Sequence, residues 1–264
     1  MGLFSFLTGA NQSNSDFDSN EIIQAIRSND FDRLARVCVD NLSLLKFEKC
    51  LNKIESDRQT FLSRLLVNGQ HMEFAKVVMC FGARIDIMLP SGKKVWQMNT
   101  NEKLANYLGM INYITENLTA NDVLAQGAGR VPHTALTWMV KLGYYYGLKH
   151  FLAMKGMNPN LCYGNKITPL MIATEMSYPH FIDMLVNYGA NIDQSDEDGW
   201  SALSYAAANL NQCPNNLALV AKRLIKNGAD INHKNKKGQT PLELAIKNGN
   251  DVVATILRES GAVV

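Results

Sequence analysis

Short apolar clusters at helical spacing, separated by polar turns that carry glycine, run through the second half of the chain. Phe181, Ile182, Met184 and Leu185 form one cluster, and Val253, Ala254, Ile256 and Leu257 another. Residues three and four apart share one helix face, so each cluster predicts an amphipathic helix that packs on a neighbour. A start signal precedes each helix pair: Thr168-Pro169-Leu170, Ser201-Ala202-Leu203 and Thr240-Pro241-Leu242. The hydroxyl caps free N–H groups, and proline at the next position has no N–H to lose. Gly189-Ala190, Gly228-Ala229 and Gly261-Ala262 close the pairs, with glycine where the backbone turns left-handed. Ala173, Ala206, Ala207 and Ala245 on the opening helices predict close stacking of adjacent pairs.

The same signals recur upstream. Thr134-Ala135-Leu136, with Gly143 and Gly156-Met157-Asn158-Pro159-Asn160, lies 34 residues before Thr168. Thr60-Phe61-Leu62, with Asn68-Gly69 and Gly82-Ala83-Arg84-Ile85-Asp86, makes a further copy, and Gly92-Lys93-Lys94 falls 34 residues after Thr60. The pattern resembles the ankyrin repeat, a unit of about 33 residues built from a β-turn and two antiparallel helices. The resemblance covers residues 20–262. It implies an all-α fold, an ankyrin-repeat α-solenoid of about six to seven stacked helix-turn-helix units with short β-hairpin tips. Residues 1–19 are then an N-terminal tail, 20–59 a cap, 60–130 degenerate repeats with an insertion, and 131–262 clearer repeats. The alternative is a separate helical domain over 20–160 abutting three repeats.

Three departures from the family pattern stand out. Met171, Ser204, Glu243, Thr137 and Ser63 replace the histidine that usually follows the T-P-L signature, so less regular repeats are expected. Lys94 stands at the Thr position, and about seven surplus residues follow within 99–130 by the family period. A second surplus spans Asn209 to Asn216, where Pro214 is expected to interrupt helix. Insertions in such arrays map to loops on one face, often the binding face, or are neutral padding.

Composition narrows the function classes. Hydrophobic residues make up 47% and charged residues 19%, which excludes a disordered chain. A net charge of +2 is too small for the footprint of a nucleic-acid binder. The five cysteines (Cys38, Cys50, Cys80, Cys162, Cys213) form no CxxC pair and are odd in number, which fits a reducing, cytoplasmic setting. The opening MGLFSFLTGA lacks a basic n-region. No apolar run approaches the roughly 18 residues of a membrane span, and Phe6 stands where a myristoylation motif needs Ser or Thr.

Candidate chemistry fails on spacing. In Asp193-Gln194-Ser195-Asp196-Glu197-Asp198-Gly199 a calcium-loop register puts Gln194 at the first ligand position. Gly92-Lys93-Lys94 lacks the upstream glycine of a P-loop, and Gly127-Ala128-Gly129-Arg130 precedes Val131-Pro132 rather than opening a helix. His71, His133, His150, His180 and His233 are scattered singly, without zinc spacing. No catalytic residue, metal or cofactor is expected, and the chain is read as non-enzymatic.

The resemblance points instead to a binding surface on hairpin tips and the exposed side of the first helices. By phase, Glu197, Asp198 and Trp200 belong to one tip and Lys236, Lys237 and Gln239 to the next. Glu175, Met176, Asn209, Lys247, Lys141 and Leu142 follow on helix ends, and Tyr144, Tyr145 and Tyr146 sit at a turn between helices. Trp and Tyr are enriched in binding hot spots; the other reading of the tyrosines is that Tyr146 packs inward and the rest cover the turn. The tip charges change sign, from Asp193, Asp196, Glu197 and Asp198 to Lys234, Lys236 and Lys237. A partner with alternating charge is therefore favoured. The expected function is occupancy of another protein by a monomer, without nucleic acid or membrane. One version is a stoichiometric inhibitor or immunity-type protein blocking a toxin or enzyme, and another a bacterial or viral effector that captures a host protein. A nucleic-acid- or small-molecule-binding solenoid rests only on the Lys234, Lys236, Lys237 cluster.

Overall fold

The computed structural model describes residues 51–263 except 55, 68–74, 76–77, 80–81, 99–101, 120–122, 125–132, 163 and 210–213. The N-terminal tail, most of the cap and the Gly127 segment lie outside the described residues. The described part groups into two compact units, one holding 119–141 and 151–263, the other the described residues before 119 with 142–150.

In the C-terminal unit the described helices include α3 (Ala135–Lys141), α5 (Pro169–Glu175), α6 (Pro179–Asn187), α7 (Ala202–Ala208), α8 (Pro214–Lys226), α9 (Pro241–Lys247) and α10 (Asp251–Glu259), while most of α4 (Tyr145–Leu152) belongs to the other unit. The first helices α3, α5, α7 and α9 pack in sequence to form one layer, and the second helices α6, α8 and α10 form the other. The pairs α5/α6, α7/α8 and α9/α10 also pack directly. Ala173, Ala206, Ala207 and Ala245 are fully buried between first helices, as are Phe181, Leu185, Val220, Leu224, Val253 and Leu257 on the second. The fold is a stacked helix-pair solenoid, and among the described residues the strands are β1 (Val123–Leu124) and β2 (His133–Thr134), paired antiparallel over two residues.

The helix starts at Thr168 and Thr240 are full capping boxes, with Met171 and Glu243 three residues on. The Thr240 hydroxyl accepts from Glu243 N–H at 3.2 Å, while the Thr240 N–H donates to the Glu243 carboxylate at 2.8 Å. Thr60 and Ser63 exchange the same bonds at 2.9 and 3.2 Å, and Thr137 donates back to the Thr134 carbonyl at 2.9 Å. Ser201 and Ser204 share a hydroxyl pair at 3.2 Å. At Ser63, Thr137, Ser204 and Glu243 a polar side chain three residues on bonds back to the cap residue.

Helix ends are equally uniform. At Gly82-Ala83, Gly189-Ala190, Gly228-Ala229 and Gly261-Ala262 the glycine N–H bonds the carbonyl three residues back and the alanine N–H the one five back. Turns inside a pair follow the same geometry, with Gly143 and Gly249 at φ 67 and 70. Ser177 occupies this turn at φ 55. Its hydroxyl is buried with no hydrogen-bond partner among the described residues. A left-handed non-glycine residue and an unpaired buried hydroxyl both cost stability. Ser177→Gly should stabilise the C-terminal unit by about 1 kcal/mol, read as a higher denaturation midpoint; an unchanged or lower midpoint would refute this.

Two insertion expectations change. Pro214 opens the 13-residue α8 rather than interrupting it, because the first turn of a helix needs no donor from proline. The surplus within 99–130 includes the 16-residue helix α2 (Glu102–Asn117), not only a loop.

In the N-terminal described unit, α1 (Phe61–Val67) and α2 both pack on a 3-10 turn, Val95–Met98. Lys94, 34 residues after Thr60, immediately precedes the turn, and its N–H donates to Gln97 Oε1 at 2.8 Å, a bond from the residue before the turn to the side chain three residues on. Met88 pairs with Lys94 across a hairpin tip whose Gly92 has φ 77. Arg84 bridges to Asp86 and lies 4.3 Å over the Tyr146 ring. Burial pushes the Asp86 carboxyl up, but the Arg84 hydrogen bond and charge outweigh it and hold it below the usual carboxylate range.

Candidate functional site

Three successive tips of the C-terminal unit carry the candidate residues. The second and third are tight turns, each organised by one Asx side chain. In the second tip, Asp196 Oδ1 accepts from the N–H groups of Asp198 at 2.9 Å and Trp200 at 2.8 Å. Its Oδ2 accepts from the Tyr205 hydroxyl at 2.7 Å. In the third, Asn235 Oδ1 accepts from Lys237 and Gln239 N–H, both at 2.9 Å. Burial, with the Asp196 bond and charge second, raises the Tyr205 phenol well above its ordinary range, so it remains a donor at any physiological pH.

The tips are joined to one another through the backbone. Glu197 N–H donates to the Asn165 carbonyl of the first tip at 2.9 Å, and Lys236 N–H to the Asp198 carbonyl at 3.0 Å. His233 Nε2 lies 3.0 Å from both the Gly199 carbonyl and the Ser195 hydroxyl. The carbonyl can only accept, so Nε2 carries the proton. Gly199 has φ 79, and a Cβ there would stand 2.8 Å from the Lys236 nitrogen. Glycine is what lets the third tip approach so closely.

Behind the tips, side chains from one helix pair seat the next. Asn160 Oδ1 accepts from Asn191 N–H at 2.6 Å, Asp193 Oδ1 from Asp230 N–H at 2.8 Å, and Asn232 Oδ1 from Val263 N–H at 3.0 Å. In the N-terminal unit Asn52 repeats this, accepting from Arg84 N–H at 2.7 Å and donating to the Gly82 carbonyl at 2.8 Å. On the second helices Asp183 pairs with Arg223 and accepts from Asn227.

A groove of about 300 Å³ opens between the second and third tips, lined by Asp196, Asp198, Trp200, Tyr205, Lys236 and Lys237. Trp200 stands edge-on to Tyr205, with centroids 5.6 Å apart. Four of the residues picked by phase, Trp200, Asp198, Lys236 and Lys237, thus meet in one place. Glu197 is exposed beside it, whereas the Gln239 amide oxygen is engaged by Asn235 within its own tip. Glu175, Met176, Asn209 and Lys247 lie at first-helix ends outside the groove, and the Asn209 amide ties back to the Glu175 carbonyl at 3.1 Å. Tyr144 and Tyr145 are corrected: at 1% and 7% exposure they are packed inside and offer no surface to a partner. The Ile85 N–H donates to the Tyr144 hydroxyl at 3.4 Å. The turn that holds them looks exposed in sequence, but a tyrosine ring buries well when its hydroxyl finds a partner. Tyr205 and Asp196 were not picked as site residues, although an aspartate two and four residues before donors that need turning is a readable Asx-turn signal.

Comparison with known proteins decides the family. A model described as ankyrin repeats (3 copies) matches residues 136–234, and one described as ankyrin repeats (many copies) matches 214–257. The C-terminal part of the chain is an ankyrin-repeat array. Its similar proteins include putative ankyrin repeat protein L91 of Acanthamoeba polyphaga mimivirus, 32% identical over 112 residues, or 38% of this chain and 17% of that protein. Putative ankyrin repeat protein R664 of the same virus is 36% identical over 81 residues, covering 31% and 49%. The human transient receptor potential cation channel subfamily A member 1 is 32% identical over 98 residues, covering 36% and 8%. The chain therefore spans less than half of each of these relatives. Ankyrin repeats generally serve as protein–protein interaction modules. Among the described residues no helix is long and apolar enough to cross a membrane.

Proposed function

We propose that the chain acts by occupancy of a protein partner, which its ankyrin tips hold without any reaction of their own. The observation that carries this reading is the groove at Trp200, where an aromatic wall and charges that form no ion pair among the described residues meet on a backbone-stitched, pre-organised surface. Pre-organisation favours binding because little ordering entropy remains to be lost on association. Indole and phenol rings provide contact area with few rotatable bonds, the usual anchor of a hot spot.

The test is co-purification of partners with the tagged full chain, compared with a Trp200→Ala, Lys236→Glu, Lys237→Glu variant whose helicity is verified by circular dichroism. A specific partner should be retained by the parent protein and lost, by at least about tenfold, from the variant. Equal retention by a folded variant would remove the tip surface from the account.

A further inference from the structure

Charge alternates along the tip row. The first tip carries Lys166, the second Glu197 and Asp198, and the third Lys236 and Lys237. All five are exposed. Lys166, Asp198, Lys236 and Lys237 form no ion pair among the described residues. Ordinarily such charges belong to mobile loops and cannot present a fixed pattern. Here the Glu197 and Lys236 amides bond the preceding tips, so the order basic, acidic, basic is held in register by the backbone.

The central position has more than charge. Asp198 shares the groove with Trp200, whose ring is set edge-on against Tyr205. A carboxylate beside an indole suits a planar cation that stacks on the ring and forms two parallel hydrogen bonds to the acid. Arginine meets both demands, whereas the lysine ammonium is a strongly hydrated point charge without a stacking plane. On the opposite wall Lys236 and Lys237 repel each other, and an acidic side chain relieves that repulsion.

We propose that the tip row docks a peptide segment of acidic–arginine–acidic order. Its arginine stacks on Trp200 and pairs with Asp198, one acidic residue faces Lys236 and Lys237, and the other faces Lys166. This rests on the occupancy reading above and adds the chemistry of the partner.

A display library of random short peptides, selected against the full chain and then against variants, tests it. Enriched peptides should share the acidic–arginine–acidic order. They should bind Asp198→Lys protein about tenfold or more weakly, and replacing their arginine by glutamate should restore binding to that variant. Among the described residues the Asp198 side chain takes no part in the tip's hydrogen bonds, which use only its backbone, so the variant keeps the turn. Enriched peptides without that charge order, yet lost from Lys236→Glu, Lys237→Glu protein, would overturn this proposal and leave occupancy standing. No enrichment, or peptides indifferent to every tip variant, would overturn both.

Discussion

Gly199→Ala is expected to destabilise the C-terminal unit by roughly 2–4 kcal/mol, whereas Gly238→Ala costs about 1–2 kcal/mol. The two glycines share nearly the same backbone, φ 79 and 74. They differ in what lies in front of them. A Cβ on Gly199 meets the Lys236 nitrogen at 2.8 Å and the Asn235 carbonyl carbon and Cα at 3.2 Å, while a Cβ on Gly238 meets nothing within 4 Å. Both variants carry the strain of a left-handed alanine. Only Gly199→Ala must also push the third tip away, stretching the Lys236 N–H to Asp198 carbonyl bond. Denaturation midpoints should rank parent, Gly238→Ala, Gly199→Ala, and the Lys236 amide should exchange faster in the last alone. Equal losses at both positions would show that the tips are not in contact.

Asp196→Ala should cost roughly 2–3 kcal/mol, because it strips a charged acceptor from two backbone donors and from the Tyr205 hydroxyl. Asp196→Asn is a mild change, costing under about 1 kcal/mol. The third tip shows why: Asn235 there holds two N–H groups through its amide oxygen with no charge. If Asp196→Asn proves as damaging as alanine, the carboxylate charge rather than its geometry organises the tip. Tyr205 adds a pH signature. Its folded pKa is raised, so the stability it contributes is complete below the unfolded phenol value of about 10 and is lost as pH rises towards the folded value. Tyr205→Phe should flatten that alkaline loss.

The C-terminal repeats were legible because their signals are local. Thr168, Thr240, Pro169 and Pro241 write helix starts into the chain, and Gly189, Gly228 and Gly261 write the ends. Thr240 followed three residues later by Glu243 also spells a capping box, a signal as local as the others. Other features have no signature to read. The stitches between tips run from Glu197 and Lys236 N–H to the Asn165 and Asp198 carbonyls, groups that every residue has. Burial of Tyr144 and Tyr145 depends on what packs around the turn, so their hydrophobicity alone could not separate a hot spot from core. Pro214 read as a breaker because proline ends one helix and begins another with equal ease, and only its neighbours decide which.

The central claim is that the tip row is the surface that meets a protein partner. Amide hydrogen exchange on the full chain, free and bound to the partner it co-purifies with, tests this most directly. The account predicts added protection concentrated at residues 164–166, 197–200 and 236–239, with the second helices α6, α8 and α10 unchanged. Protection confined to those second helices, with the tips exchanging as in the free protein, would contradict it.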